Sequence, residues 1–207
     1  MQNRESFLRK EIVGIGKLLY NRGLIVATDG NISTRINKNL ILITPAGFCK
    51  GWLKQQDIIR MIINNKPLLF RNKLKPTSEY RMHLSIYKKR PEIKAIIHAH
   101  PAYTTALAST KTTSKQRGLD WFLTLSEMQQ TVGKIGIVKA LPPGTQELAS
   151  AVANSIAKTN ASLMTNHGVV VVGENLMQAL YRLERIEFAA KIFLLAELFN
   201  EISAKPN

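Results

Sequence analysis

The sequence of 207 residues contains a single cysteine, Cys49. One cysteine excludes an intramolecular disulfide and a cysteine-rich zinc site, so any metal would need histidine, aspartate or glutamate ligands. The sequence also lacks a run of about 18 apolar residues, the length that a membrane span requires. Its beginning, "MQNRESFLRKE", carries charges where a signal peptide is apolar. We therefore expect a cytoplasmic protein without a membrane partner.

Acidic residues are also scarce, with 14 Asp and Glu against 29 Lys and Arg, which gives a formal net charge of +15. Such a surface attracts anions of several kinds. The basic residues are scattered, however, and no nucleic-acid-binding motif accompanies them, so a nucleic-acid partner is not expected. We interpret the charge as a solvated basic surface, with attraction of an anionic substrate as the alternative.

Helix-like and strand-like apolar patterns alternate along the chain, and no linker or composition break separates them. We therefore expect residues 1–207 to form one α/β domain. Helices are predicted near residues 5–20, 79–89, 102–108, 147–157 and 176–202, with Thr77 or Ser78 capping the second and Thr145 the fourth. Strands are predicted near 31–36, 40–44, 95–100, 136–140 and on both sides of 167–168, whereas 58–63 and 68–70 fit a strand or a short helix, and 109–118 a loop.

Two of the four histidines, His98 and His100, lie in the segment "AIIHAHPAY" at residues 95–103. The apolar, β-branched run before them predicts a strand that ends near His100, because Pro101 cannot continue a central strand. Alternate residues of a strand share a face, so both imidazoles would point the same way, with Cα atoms about 6–7 Å apart. The pair could share a cation, or it could belong to the core.

The other two histidines are His83 and His167. His167 precedes Gly168, a residue that lets backbone approach closely, and supplies a third candidate ligand. Three protein ligands with an open position are typical of a catalytic zinc site, whereas a structural site fills all four positions. Glu79 and His83 lie four residues apart on one predicted helical face, so His83 could pair with Glu79 as a ligand or serve in packing.

Six segments in order resemble the class II aldolase and adducin family, in particular the L-fuculose-1-phosphate aldolases. They are "TDGNIST" (28–34), "ITPAG" (43–47), "KPTSEYRMH" (75–83), "IIHAHP" (96–101), "LPPGTQELA" (141–149) and "LMTNHGVVVVG" (163–173). Any one of them is weak evidence, but the ordered set is specific and covers most of the chain. The resemblance implies a single-domain three-layer sandwich, in which helices flank a central, largely antiparallel sheet, and a homotetramer with active sites at subunit boundaries.

The resemblance also implies the site residues. Zn²⁺, one per subunit, would be bound by His98, His100, His167 and Glu79, and Glu79 would act as acid and base once substrate displaces it. A position near a helix start favours a carboxylate there. The implied contacts to the substrate phosphate are Gly30, Asn31, Thr44, Gly47, Thr77 and Ser78. The matching histidine of the family is not a ligand, so we expect His83 to pack or to support the site.

The implied reaction cleaves a ketose 1-phosphate, such as L-fuculose 1-phosphate, to dihydroxyacetone phosphate and an aldehyde. The metal acts as a Lewis acid, the intermediate is an enediolate, and Glu79 moves the proton. The alternatives within the fold are a pentulose-phosphate 4-epimerase, a dehydratase and a sugar-acid-phosphate decarboxylase. A non-catalytic module like the adducin head is a further alternative, but such heads lack intact ligands, so the complete set here favours an enzyme.

The sequence departs from the family pattern at three places. Ala46 in "TPAG" replaces a residue that often carries a hydroxyl, which predicts weaker phosphate binding. The chain ends at Asn207 without the C-terminal tail whose tyrosine reaches a neighbouring active site, so we expect a more open site. Glu127, in "LTLSEMQQ", could be an extra metal ligand or a surface carboxylate, and we favour the surface interpretation.

Overall fold

The computed structural model describes residues 2–63, 74–110 and 124–203. Within these residues, seven strands form one sheet in the order β3-β2-β1-β4-β7-β6-β5. The strands are β1 (Asn31–Arg35), β2 (Leu40–Ile43), β3 (Ile59–Ile62), β4 (Ala95–Ala99), β5 (Ile135–Val138), β6 (Ala161–Met164) and β7 (Gly168–Gly173). The β5–β6 pair is parallel and the other described pairs are antiparallel, so the predicted, largely antiparallel sheet is confirmed.

Helices cover both faces of the sheet and complete the predicted three layers. They are α1 (Gln2–Asn21), α2 (Tyr80–Lys89), α3 (Ala102–Ala108), α4 (Ser126–Thr131), α5 (Gln146–Ile156) and α6 (Leu176–Ser203), with short 3-10 helices at Lys50–Trp52 and Gln55–Asp57. The buried side chains of α1, α3 and α6 pack on one face, and those of α2 and α5 pack on the other. In the described part of the chain, every helix is too short or too polar to span a bilayer.

The central strand β4 is buried on both faces, as its apolar, β-branched sequence predicts. Ile97 packs in the cluster under α1 and α6, whereas Ile96 packs in the cluster under α2 and α5. Side chains alternate along a strand, so His98 projects toward the α2 layer with Ile96. The strand thereby places the imidazole of His98 on the side of the sheet where α2 begins, directly after Glu79.

Most of the predicted elements are confirmed with small shifts of their ends. Helix α1 buries Ile12, Ile15 and Leu19 on one face, and the segment 58–63 proves to be a strand, β3. Thr145 caps α5, since its Oγ1 accepts a hydrogen bond from the backbone N–H of Leu148 at 3.2 Å. The predictions for 68–70 and for most of 109–118 lie outside the described residues.

The predicted cap of α2 is wrong. The helix begins at Tyr80, so Glu79 occupies the cap position, and neither Thr77 nor Ser78 caps the helix. The reason is that the chain before the helix is tied in an extended form to the loop after β2. Pro76 forms a β-bridge with Pro45, and the N–H of Thr77 donates to the carbonyl of Thr44 at 3.1 Å. Glu79 therefore precedes the first helical turn instead of lying within it.

Candidate metal centre and active site

Three histidines meet where β4 ends and the neighbouring strand β7 begins. His98 is the last residue but one of β4, His100 follows that strand, and His167 lies in the tight turn between β6 and β7. That turn places Asn166 at φ 57°, a left-handed conformation that asparagine tolerates better than most residues. One ligand atom from each histidine lies within 4.8 Å of the others, so the structure brings together the three predicted histidine ligands.

His98 is fully buried, and its hydrogen bonds define where its lone pair points. Its Nδ1 lies 3.0 Å from the carbonyl oxygen of Val169, which can only accept, so Nδ1 carries the proton. Its Nε2 lies 2.9 Å from Nε2 of His100 and 2.9 Å from Oε2 of Glu79. Nε2 of His98 thus faces a carboxylate oxygen and a second ring nitrogen, an arrangement that is repulsive unless a proton on Nε2 or a metal cation lies among these atoms.

Glu79 is 5% exposed and lies against this cluster. Its Oε2 accepts a hydrogen bond from Nδ2 of Asn31 at 3.2 Å, and its Oε1 lies 3.6 Å from Nε2 of His167. Burial acts to raise the pKa of this carboxyl group, but the charge and hydrogen bond of His98, the charge of His167 and the hydrogen bond from Asn31 outweigh burial. The pKa of Glu79 is therefore held well below its usual range, and the group is a carboxylate at neutral pH.

The donor atoms of this cluster fit a divalent cation. Among the described side chains, three buried polar atoms lack a hydrogen-bond partner, and two of them are Oε1 of Glu79 and Nδ1 of His167. Burial, followed by the charges of His98 and His167, lowers the pKa of His100 to about 4, and burial with the charge of His98 also lowers that of His167. Neutral imidazoles and a carboxylate are the ligand types that Zn²⁺ binds in catalytic sites.

Asp29 lies beside the cluster, and the sequence analysis did not identify it as a site residue. Its Oδ2 lies 3.6 Å from Nδ1 of His100, on the side of the ring opposite the Nε2 atom that faces His98. A carboxylate next to the second nitrogen of a ligating imidazole orients the ring and raises its basicity. Asp29 therefore supports His100 electrostatically, although the distance is longer than that of a hydrogen bond.

The six residues predicted to contact phosphate lie in three segments: Gly30–Asn31, Thr44–Gly47 and Thr77–Ser78. The segments adjoin, since the N–H of Thr77 donates to the carbonyl of Thr44, and Oγ1 of Thr44 accepts from the N–H of Ile32 at 3.1 Å. Gly30 and Gly47 both have left-handed φ angles, of 70° and 75°, and a Cβ at Gly47 would meet no atom within 4 Å. Ser78 is exposed, whereas Asn31, Thr44 and Thr77 are buried.

His83 is fully buried behind this site and hydrogen bonds to β1. Its Nε2 lies 2.5 Å from Oδ1 of Asn31, its Nδ1 lies 2.7 Å from Oγ of Ser33, and Ser33 in turn lies 2.9 Å from the hydroxyl of Tyr87. Sequence reasoning missed Ser33 and Tyr87. The available signal was the four-residue spacing of Glu79, His83 and Tyr87, which continues one helical face beyond the pair that was noticed.

A buried lysine joins two of the candidate phosphate segments, and sequence reasoning missed it too. Lys50 is 2% exposed, and its Nζ donates to the carbonyl oxygens of Thr28 at 2.5 Å and Phe48 at 2.9 Å. These carbonyls flank the segments that contain Gly30 and Gly47. Lys50 therefore fixes the separation of the two loops.

A recess lies beside the site, whereas Glu127 lies outside the histidine cluster. A recess of about 320 Å³ beside His167 is lined by Ala140, Leu141, Pro142, Pro143, Thr165 and Asn166. The exposed Glu127 lies in the first turn of α4 and is not a member of the histidine cluster, which agrees with a surface carboxylate.

Comparisons with known proteins agree with the geometry. Residues 10–194 match the model of the family described as the class II aldolase and adducin N-terminal domain. The 3-oxo-tetronate 4-phosphate decarboxylase of Haemophilus influenzae is 34% identical over 89% of this chain and 86% of its own length. The L-fuculose phosphate aldolase of Methanococcus vannielii is 37% identical over 88% of this chain and 93% of its own. A sugar-phosphate aldolase structure from Thermotoga maritima superposes with a TM-score of 0.83 at 27% identity, covering 100% of this chain and 99% of the other.

Proposed function

Because the chain belongs to the class II aldolase and adducin family, we propose that it is a metal-dependent aldehyde-lyase acting on a short phosphorylated ketose. The reaction cleaves a ketose 1-phosphate, such as L-fuculose 1-phosphate, to dihydroxyacetone phosphate and an aldehyde. The observation that carries the proposal is the buried carboxylate of Glu79, which lies 2.9 Å from His98 within a cluster of three histidines. Three imidazoles and a carboxylate are a donor set that fits a catalytic divalent cation.

His98, His100 and His167 would hold the cation, with Glu79 completing the site until substrate displaces it. Bound there, Zn²⁺ or another divalent cation would supply Lewis-acid chemistry that stabilises negative charge on substrate oxygens by several kcal/mol. The chain orients the ligands, since the Val169 carbonyl fixes the His98 ring and Asp29 lies beside His100. Oriented imidazoles lose little entropy when they bind the cation.

The phosphate would bind where the three candidate segments adjoin. Gly47 leaves the backbone open to close approach, since no atom lies within 4 Å of a Cβ built there, and the exposed hydroxyl of Ser78 is a donor next to Glu79. Gly30 lets its segment pack against β4, since a Cβ there would come within 2.8 Å of the carbonyl oxygen of His98. The basic surface, with its formal charge of +15, draws an anionic substrate toward the protein. With the phosphate bound there, the carbon atoms next to it would lie beside Glu79, and the remainder of the substrate would extend toward the recess at His167.

Glu79 would move the proton. Asn31 holds Oε2, whereas Oε1 has no hydrogen-bond partner and is the oxygen free to exchange a proton with substrate. In the direction of synthesis, Glu79 takes a proton from a carbon of dihydroxyacetone phosphate, and in the direction of cleavage it returns this proton. A positioned general base typically contributes about 10²- to 10⁴-fold in rate.

A decarboxylase is the second candidate function, because a 3-oxo-tetronate 4-phosphate decarboxylase is about as similar to this chain as a fuculose phosphate aldolase. Loss of CO₂ from the four-carbon 3-oxo acid leaves an electron pair on the carbon beside the carbonyl. One proton then gives dihydroxyacetone phosphate, the same product as in the aldol cleavage. Glu79 would deliver that proton in both reactions.

We also propose that the enzyme is a cytoplasmic homotetramer. Helix α6 leaves large apolar side chains exposed, among them Phe188, Leu195, Phe199 and Ile202. Their spacing of seven, four and three residues places them on one face of the helix, where a second subunit would cover them.

The deciding experiment measures metal-dependent exchange of a carbon-bound proton of dihydroxyacetone phosphate with solvent deuterium. Exchange by the metal-loaded protein supports proton transfer by this site, and no exchange would remove the aldolase proposal. Cleavage of a panel of ketose 1-phosphates, compared with CO₂ release from 3-oxo-tetronate 4-phosphate, then distinguishes the two candidate reactions. Activity on neither substrate class, together with no exchange, would leave a binding module.

A further inference from the structure

We propose that Tyr87, Ser33 and His83 form a hydrogen-bond chain of fixed direction that orients the Asn31 amide and, through it, the Glu79 carboxylate. This hydrogen-bond chain makes His83 a positioning residue for proton transfer, a role that rests on the function proposed for Glu79. It runs from the buried side of α2 through Asn31 to the histidine cluster.

Two rows of polar side chains face each other inside an otherwise apolar layer. Asn31 and Ser33 share one face of β1, and His83 and Tyr87 lie one turn apart on α2. All four are buried, with exposures of 4% for Asn31, 1% for Tyr87 and 0% for the other two. Buried polar groups are tolerated only when they are hydrogen bonded, so this row must form a complete network.

The carboxylate sets the direction of the chain. Glu79 Oε2 can only accept, so the amide of Asn31 must turn its Nδ2 toward Glu79, at 3.2 Å. The amide oxygen then faces His83 and also can only accept, so Nε2 of His83 carries a proton. Burial, with a further contribution from the charge of His98, lowers the pKa of His83 to about 3. The ring is therefore neutral, and its Nδ1 has a lone pair.

The remaining bonds follow from that assignment. Nδ1 of His83 accepts from the hydroxyl of Ser33 at 2.7 Å, and Oγ of Ser33 accepts from the hydroxyl of Tyr87 at 2.9 Å. If the hydrogen-bond chain ran in the opposite direction, Oδ1 of Asn31 would face the carboxylate of Glu79. Two acceptors would then oppose each other in a buried site, and Glu79 would lose a donor.

The consequence concerns the two oxygens of Glu79. Asn31 holds Oε2, which also lies 2.9 Å from Nε2 of His98, so Oε1 stays directed toward His167 without a hydrogen-bond partner. A base held in one orientation reacts faster than one that must find it, because the ordering has already taken place on folding. His83 thus acts on the reaction through Asn31, without contact to the substrate.

The direction of the hydrogen-bond chain can be measured without an activity assay. In protein labelled with ¹⁵N in its imidazoles, NMR distinguishes the Nε2-protonated from the Nδ1-protonated tautomer, and the His83 signals are assigned by their loss in His83→Gln. We expect the neutral Nε2-protonated tautomer for His83 at pH 7, in metal-free and in zinc-loaded protein. An Nδ1-protonated or a charged ring at this position would overturn the proposal.

Two substitutions of His83 separate positioning from folding. In His83→Gln the amide nitrogen can take the place of Nε2 and donate to Asn31, whereas in His83→Asn the shorter amide matches Nδ1 and cannot reach it. We expect His83→Asn to lower kcat for deuterium exchange about 10- to 100-fold per folded, metal-loaded chain, as for loss of a hydrogen bond to a charged group. His83→Gln should stay within about 3-fold of wild type, and KM for dihydroxyacetone phosphate should change less than about 3-fold in both.

Equal kcat values in the two variants, after correction for unfolding and metal content, would overturn the proposal. So would a change confined to KM, since that would assign the network to phosphate binding. If the metal-loaded wild type exchanges no proton, the function proposed for Glu79 fails, and the tautomer of His83 alone decides whether the chain has its assigned direction.

Discussion

Gly168 lies so close to His100 that a Cβ built on the glycine would come within 2.7 Å of Cδ2 of the imidazole. The same Cβ would press against the carbonyl oxygen of Ala99. The turn that carries His167 therefore passes directly beside the end of β4, and only a residue without a side chain permits this approach. The predicted close backbone approach at Gly168 is confirmed, and it explains how two histidines from distant parts of the sequence reach one site.

The first prediction concerns this contact. Gly168→Ala should lower the free energy of unfolding by about 1–3 kcal/mol, the usual effect of inserting a methyl group into a packed site, and should reduce metal content. Gly14→Ala in α1 is the matched control, since a Cβ there would meet no atom within 4 Å. It should be neutral or stabilise by up to about 1 kcal/mol. Urea titrations and metal analysis check both, and a Gly168→Ala protein with wild-type stability and metal content would refute the prediction.

The second prediction is that protein purified without chelator contains about one divalent cation per chain, and that this cation is zinc. His98→Ala, His100→Ala and His167→Ala should each bring the metal content well below one per chain. His83→Gln should retain the metal, because His83 bonds to Asn31 and Ser33 rather than to the cluster. Elemental analysis by mass spectrometry makes the measurement, and full metal content in all three alanine variants would disprove the ligand assignment.

The third prediction separates chemistry from binding at Glu79. Glu79→Gln keeps the size of the side chain and removes the base, so kcat for deuterium exchange should fall about 10²- to 10⁴-fold while three histidines still hold the metal. Ser78→Ala, one residue earlier, should instead raise KM by roughly the loss of one charge-assisted hydrogen bond, with little change in kcat. Exchange at the wild-type rate in Glu79→Gln would exclude Glu79 as the base.

Local patterns in the sequence predicted part of this arrangement, whereas the ligand set came from the family resemblance. The alternation of side chains along a strand placed His98 and His100 on one face, and their Nε2 atoms indeed lie 2.9 Å apart. The four-residue spacing of Glu79 and His83 placed them on one side of α2. These predictions succeeded because each depends on the period of a single element.

Contacts between distant segments could not be predicted in this way. Ser33 reaches His83 across 50 positions of the sequence, and the Nζ of Lys50 reaches the carbonyl of Thr28 across 22. The cap of α2 was predicted wrongly for the same reason, since the bridge of Pro76 to Pro45 overrides the local preference for a cap at Thr77 or Ser78. Such partners depend on how the loops pack around the sheet, which no local period encodes.

The fourth prediction concerns assembly through α6. Light scattering should give about four times the mass of the chain, because the exposed apolar face of α6 needs a covering surface. Phe199→Glu should shift the protein toward smaller species, since Phe199 is 66% exposed and a charge there would be buried by a neighbouring subunit. Asn200→Glu adds the same charge one position along the helix and serves as the control. A fully active monomer would contradict the homotetramer.

The last prediction concerns the pH dependence of stability at Lys50. Burial lowers the pKa of Lys50 to about 8, although the charges of Asp29 and Cys49 act in the opposite direction. In the unfolded chain a lysine titrates near 10.4, so between about pH 8 and 10.4 the unfolded state binds more protons than the folded state. The free energy of unfolding therefore rises with pH across this window, by at most about 3 kcal/mol from this group, and is unaffected by it below about pH 8.

Comparison with Lys50→Met isolates this contribution. The methionine variant cannot titrate at this position. The free energy of unfolding of the wild type minus that of the variant should therefore increase by about 1–3 kcal/mol from pH 8 to 10. Lys17→Met, at an exposed position of α1, should follow the wild type across the same range. Urea titrations at closely spaced pH values make the measurement. If the difference in free energy of unfolding between wild type and Lys50→Met stays constant with pH, folding does not shift the pKa of Lys50. The hydrogen bonds to Thr28 and Phe48 would then fully compensate the cost of burying the ammonium group.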